Sequence, residues 1–301
     1  MTADPTGQRF RLRGPRSSVE VTQVGAALRS LVVDGVELVP PYPDDAPTPA
    51  ACGVVLVPWP NRIRDGRYTF DGTDQQLAIS EPKFGNASHG LLRFGAYTPV
   101  EATEEYITLG ADVVPQTGYP FHLRTRVTYE LQPEGLRVAH RVENVGARTA
   151  PFALGIHPYL QIGGVPTADL TVRSTGTTTL VMDDRNIPVD EVPVDGDADL
   201  RGGRRLGDVS LDNAYRGLDR DATGFARHTL TAPDGRAVEL WQDRSFGWAQ
   251  VFTTDRFPEH PLAVAIEPMT APANAFASGV DLRTLAPGDV FEAQWGVTFR
   301  G

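Results

Sequence analysis

No stretch of this chain longer than the 12 residues from Phe121 to Gln132 is free of both glycine and proline. An interior proline costs a helix about 3 kcal/mol and an interior glycine about 1 kcal/mol. A helix of ordinary length therefore has nowhere to sit, and 301 residues must bury a core by other means. The pattern they offer is alternation. Phe121, Leu123, Val127, Tyr129 and Leu131 share one parity, and Leu136, Val138 and Val142 share one after the turn residues Gln132-Pro-Glu-Gly135. Two such runs around a turn predict an antiparallel hairpin. Phe291, Ala293, Trp295, Val297 and Phe299 repeat the period at the C-terminal end.

Further strands are expected at 8–13, 17–23, 27–33, 67–70, 75–79, 97–111, 168–174, 226–232, 236–242 and 248–253. Many short strands separated by turn signals, without a fixed repeat, predict an all-β fold: a large antiparallel β-sandwich with few short helices. Two loop-like stretches, Pro40 to Pro49 and Pro193 to Gly207, do not separate halves of different composition. The expectation is a single domain over 1–301 with long surface loops.

Charge and cysteine content exclude several functions. Lys+Arg total 28 against 38 Asp+Glu, a net charge of −10, which opposes a nucleic-acid partner. Cys52 is the only cysteine, so neither an internal disulfide nor a multi-cysteine metal site can form. None of the six histidines forms the i, i+4 pair of a zinc helix, and no metal is expected. A phosphate-binding glycine loop and a G-x-S-x-G elbow are also missing. The N-terminal residues carry no basic head followed by an apolar stretch, and no apolar run approaches the roughly 18 residues that span a bilayer. A cytoplasmic protein with no membrane partner is expected.

Two segments share a plan. In Phe152-Ala-Leu-Gly-Ile-His157-Pro158, the residues Phe152, Leu154 and Ile156 fall on a core face, and His157 shares the other face with Ala153 and Gly155. In Leu262-Ala-Val-Ala-Ile-Glu267-Pro268, Leu262, Val264 and Ile266 make the core face, and Glu267 shares its face with Ala263 and Ala265. Both read as strands ending at a roomy concavity with an ionisable group at the lip, the setting of a ligand site. Taken singly, His157 reads first as a backbone-bonded core cap and Glu267 as a solvated strand-end carboxylate. Together they suit general acid–base work, because burial and neighbouring charge can tune both toward neutral pH. Arg62 on a proline-held turn, His89 in a small-residue loop and Asp212 before a strand are further candidates, each equally compatible with a plain turn or surface role.

In chain order, Asn61-Arg62-Ile63, His89-Gly90, Gly118-Tyr119-Pro120, His157-Pro158-Tyr159, Asp212-Asn213 and Glu267-Pro268 resemble the aldose 1-epimerase (galactose mutarotase-like) family from about residue 8 to 299. The resemblance implies a large antiparallel β-sandwich and an isomerase that interconverts the α and β anomers of a free hexose without cofactor. Carried over, Glu267 would take the proton of the C1 hydroxyl and His157 would protonate the ring oxygen. Arg62, His89 and Asp212 would hold sugar hydroxyls, with Trp59 or Tyr159 as an apolar wall. The implied partner is a small monosaccharide, and monomer and homodimer both stay open.

The chain departs from the better-known galactose enzymes in reading His89-Gly-Leu-Leu-Arg93 at the first histidine and Pro158-Tyr159-Leu160 after the second, which resembles a shorter bacterial branch. Arg64, Arg67, Lys83 and Arg93 cluster around the first two motifs. They read first as solvated loop cations; with one or two of them in the pocket, the substrate could instead carry a 6-phospho or 6-sulfo group, as in related epimerases of anionic sugars. A sugar-binding protein that kept the sandwich without turnover is the non-enzymatic alternative.

Overall fold

The computed structural model describes residues 4–301. Two large sheets dominate, and every strand pairing in them is antiparallel. The nine-stranded sheet runs in the order 98–102, 106–113, 123–132, 135–144, 290–300, 237–242, 226–231, 171–173 and 204–205. The eight-stranded sheet runs 188–193, 178–182, 212–216, 248–254, 263–269, 155–156 and 55–56, with 159–160 also paired to 263–269. A four-stranded sheet, 9–13, 17–22, 28–33 and 36–37, lies beside them. Among the described residues the only α-helix is Ala275–Ser278, as the glycine and proline spacing requires. None is long and apolar enough to cross a membrane.

The alternating runs land as the sequence predicts. Leu123, Thr125, Val127 and Tyr129 are buried on one face of strand Leu123–Gln132, with arginines between them facing out. The C-terminal strand Val290–Arg300 buries Phe291, Ala293, Trp295, Val297 and Phe299. The Trp295 indole donates to His140 Nε2 at 3.0 Å. Burial pushes His140 down to about 3, so the ring is neutral at pH 7 and accepts that bond. One continuous cluster of buried side chains reaches from Phe10 to Phe299 and contains the inner faces of both large sheets. Phe152 meets Phe291 edge-on across it, with centroids 5.3 Å apart.

Three expectations change. Residues 97–111 form two strands, Thr98–Ala102 and Tyr106–Val113, because the polar run Thr103-Glu-Glu turns the chain back. The hairpin Thr178–Met182 with Pro188–Pro193 was not expected; its second strand starts and ends in proline at a sheet edge, where a missing N–H is tolerated. Strand Ala263–Met269 also continues through Pro268, opposite Ala249. The Ile266 N–H donates to Pro158 O and the Thr270 N–H to Leu154 O. By antiparallel alternation Pro268 is the residue between them that would donate the same way. Its missing N–H faces the gap between the short strands 155–156 and 159–160, so no bond is lost.

Candidate active site

Glu267 and His157 meet at that gap. Glu267 lies directly opposite Gln250 on the neighbouring strand, and Phe252, two residues along, lies opposite Asp212. Asp212, Gln250, Phe252 and Glu267 therefore share one face of three adjacent strands. His157 sits between strands 155–156 and 159–160, tied at both backbone groups: its N–H donates to Val54 O and its carbonyl accepts from Gly53 N–H. Its Nε2 is 3.3 Å from Glu267 Oε1, and both side chains are buried. Tyr159 stacks on the imidazole at 5.3 Å, and His89 stands edge-on to it at 5.5 Å.

A cavity of about 420 Å³ opens over this pair, within the range of small-ligand sites. Arg62, His89, Asp212, His157 and Glu267 all line it, joined by Gln250, Phe252, Glu81, Lys83 and Arg93. Arg62 grips Glu81 with two prongs, Nε at 2.8 Å and Nη2 at 3.0 Å. Gln250 donates to Asp212 at 2.6 Å. The Asn61 backbone N–H donates to His89 Nδ1 at 3.3 Å, so the neutral ring carries its hydrogen on Nε2. A larger hollow of about 590 Å³ lies over the nine-stranded sheet, lined by Arg126, Arg137 and Arg141. Arg137 and Arg141 are paired there with Glu130 and Glu143, and it holds no close acid–base pair.

The wall residues differ from expectation. Trp59 is buried beneath the site against Phe276, and Tyr159 lies under His157. Neither lines the cavity, whose aromatic wall is Phe252. The proline-flanked turn buries the indole, and Tyr159 faces the core side of the imidazole that it supports. The small residue beside His157 also has another use: a Cβ on Gly155 would stand 2.5 Å from Pro60 Cβ. The space there admits the Pro58–Pro60 turn, which carries Arg62 to the site. Of the four clustered cations, Arg64 pairs with Asp183 and Arg67 with Gln76, away from the cavity, while Lys83 and Arg93 reach it.

Burial sets the charge states. It raises Glu267 well above the ordinary carboxylate range, helped by Asp212 and opposed by Arg62. It lowers His157 to about 3, with the Arg93 and Arg62 charges acting the same way. His89 is lowered by burial and then by His157 and the two arginines. Asp212, whose carboxylate is open to the cavity, is raised by the surrounding protein against the pull of Arg62 and Gln250.

Gln250, Phe252 and Glu81 escaped the sequence reading. Gln250 carried a usable signal, an amide inside an otherwise apolar strand, since buried polar residues are seldom idle. Glu81, between Ser80 and Pro82, carried none.

A sequence profile described as Aldose 1-epimerase matches residues 8–298. The chain is 33% identical over 287 residues to "Uncharacterized protein YihR" of Escherichia coli (strain K12), covering 94% of this chain and 90% of that one. It is 30% identical over 263 residues to "Galactose mutarotase" of Rattus norvegicus, covering 78% and 74%. The fold matches a galactose mutarotase-like protein from Clostridium acetobutylicum with a TM-score of 0.87 at 18% identity, over 97% of this chain and 95% of that one.

Proposed function

The chain belongs to the aldose 1-epimerase family and is an isomerase of the epimerase type; from that premise we propose that it interconverts the α and β anomers of a free hexose, using Glu267 and His157 as the acid–base pair. The observation that carries this is the 3.3 Å approach of His157 Nε2 to Glu267 Oε1 on the floor of a cavity of about 420 Å³. A buried pair at that distance holds one proton between two sites. In the protein alone burial favours the neutral arrangement, with the proton on the carboxyl. A C1 hydroxyl donating to Glu267, with the ring oxygen accepting from His157, favours the shifted one.

In that form Glu267 takes the C1 hydroxyl proton, and the freed electron pair makes the C1 carbonyl as the bond from C1 to the ring oxygen breaks. The ring oxygen takes the proton of His157. Rotation about C1–C2 presents the other carbonyl face. His157 then recovers the C5 hydroxyl proton as that oxygen attacks, and Glu267 returns its proton to the new C1 hydroxyl. Arg62, His89 and Asp212 hold the remaining hydroxyls, His89 as a donor. This division of labour needs no group beyond the chain's own side chains.

Polarimetry or NMR exchange on freshly dissolved single anomers of glucose and galactose tests it. Glu267→Gln and His157→Asn are each expected to lower catalysed exchange by about 10² to 10⁴-fold with circular dichroism unchanged. Full rate in both variants would remove the pair from the mechanism.

A further inference from the structure

Past the strand of Glu267 the chain continues as a buried arm, Thr270-Ala-Pro-Ala273, that ends at Asn274. Thr270 pins the arm to Leu154, three residues before His157. Its N–H donates to Leu154 O and its hydroxyl accepts from the Leu154 N–H, both at 2.8 Å. Asn274 opens the helix Ala275–Ser278 in the left-handed region, at φ 62° and ψ 15°, and its side chain makes no capping bond. An asparagine at that position normally offers its side-chain oxygen to the free N–H groups of the first turn, and left-handed backbone is a cost for any residue with a Cβ. Both departures serve another contact. The Asn274 N–H donates to Arg62 O, and its Oδ1 accepts from the Arg64 N–H at 3.0 Å.

Backbone alternation explains why those two groups are available. Asn61 O, which accepts from the His89 N–H, faces the ladder between Arg62–Arg64 and Asn86–Ser88. Arg62 O and the Arg64 N–H therefore point to the opposite edge of the strand. A neighbouring parallel strand would meet such an edge with the N–H and the carbonyl of a single residue. Asn274 meets it with its own N–H and with Oδ1, because its main-chain carbonyl already accepts from Ala277 and Ser278. Asparagine suits the place, since it tolerates positive φ and carries a neutral acceptor on a short stem. Behind it Phe276 packs edge-on to Trp59 at 5.5 Å and to Tyr68 at 5.0 Å, which holds the helix in position. The strand of Arg62 belongs to neither large sheet, and the arm gives it a direct tie to the chain of Glu267.

We propose that Asn274 is a positioning residue that registers Arg62 against Glu267. Resting on the reading of Arg62 as a group that holds sugar hydroxyls, the clamp sets where those hydroxyls are gripped relative to the acid–base pair. A misplacement of about 1 Å originating far from the chemistry can cost ~10²-fold in rate.

The test is a double-mutant cycle on anomer exchange, run with D-glucose, D-galactose or D-glucose 6-phosphate, whichever the wild type exchanges fastest. Asn274→Gly suits the left-handed backbone and keeps the N–H bond but deletes Oδ1. It is expected to lower kcat/KM by roughly tenfold or more, chiefly through KM. Asn274→Ser, whose oxygen sits one atom too short, takes its place should the glycine variant not fold. Asn274→Asp returns an acceptor at the same reach and should recover most of the loss. In an Arg62→Ala background, Asn274→Gly should change kcat/KM by less than about twofold, because the residue acts through Arg62. Equal losses in both backgrounds would reveal a merely structural role and overturn the proposal, as would full activity in folded Asn274→Gly. A second readout does not depend on turnover: hydrogen exchange of the Arg64 amide should quicken by roughly tenfold or more in Asn274→Gly and slow again in Asn274→Asp. Unchanged protection of that amide overturns the clamp whatever the kinetics show. If the wild type exchanges none of the three sugars, the acid–base reading fails, and the clamp stands or falls on the Arg64 amide.

Discussion

At the scale of single residues the site is a problem in proton placement. In the proposed mechanism the buried pair works only while it holds one proton. A second proton enters through His157, which burial holds down at about 3. The shared proton leaves through Glu267, which burial holds well above its usual range. The sign follows: kcat/KM, which reports the free enzyme, falls on the acid side only far below neutrality and on the alkaline side above the ordinary carboxylate range. The acid limb is therefore expected only near the value to which burial lowers His157, about 3, and the Glu267→Gln variant should lose the alkaline limb. An acid limb near ~6.5, where a free imidazole titrates, would mean that His157 is solvated. The pair itself was legible because each member broke a run of small residues on one strand parity. Glu81 was not, because its clamp on Arg62 joins residues far apart in sequence; the amide of Gln250 signalled a buried polar group but not its bond to Asp212.

Elements are where the sequence spoke most clearly and also where it misled. Long alternating runs such as 123–132, 135–144 and 290–300 mark strands because one face is buried throughout. Two-residue strands such as 55–56 and 155–156 have too little length for any period to show. Strand 155–156 exists because neighbours on both sides pair with it, and 55–56 because it pairs with 155–156 at the sheet's edge. Gly155 misled for a related reason: small residues were expected to leave room for ligand, yet the room is taken by Pro60. Gly90 makes a sharper case. It adopts φ +75° directly after His89, itself at +61°, and a Cβ there would stand 2.2 Å from Val57 O. Gly164 has a similar φ of +81° with open space around it. Gly164→Ala should cost only the left-handed strain of about 1–2 kcal/mol. Gly90→Ala should cost clearly more and reduce kcat/KM by displacing His89. Urea midpoints of the two variants provide the check, and equal losses would mean that the backbone beside Val57 yields freely.

At the scale of the whole molecule, four stretches distant in sequence, 61–93, 157, 212 and 250–267, must arrive together, and no local pattern records that. What fixes their arrival is the registration of the sheets. Tyr129, fully buried in the nine-stranded sheet, donates its hydroxyl to Ala26 O at 2.5 Å, and Ser17 donates to Gln132 O at 3.0 Å. These bonds tie the four-stranded sheet to the larger one. Tyr129→Phe leaves a buried carbonyl unsatisfied and is expected to cost about 1–3 kcal/mol, seen as a lower urea midpoint. Because Tyr129 is remote from the cavity, the anomer-exchange rate of the folded variant should stay within twofold of wild type; a larger loss would show that the site senses this sheet junction.

The ladder between Arg62–Arg64 and Asn86–Ser88 belongs to neither large sheet, although it carries Arg62 and leads into His89, Gly90 and Arg93. Arg62 and His89 are thus mounted apart from the sheet that carries Glu267, whereas Asp212 shares that sheet. A shift of that short ladder would carry Arg62 and the loop of His89 with it while leaving intact the strand register that sets Glu267 opposite Gln250.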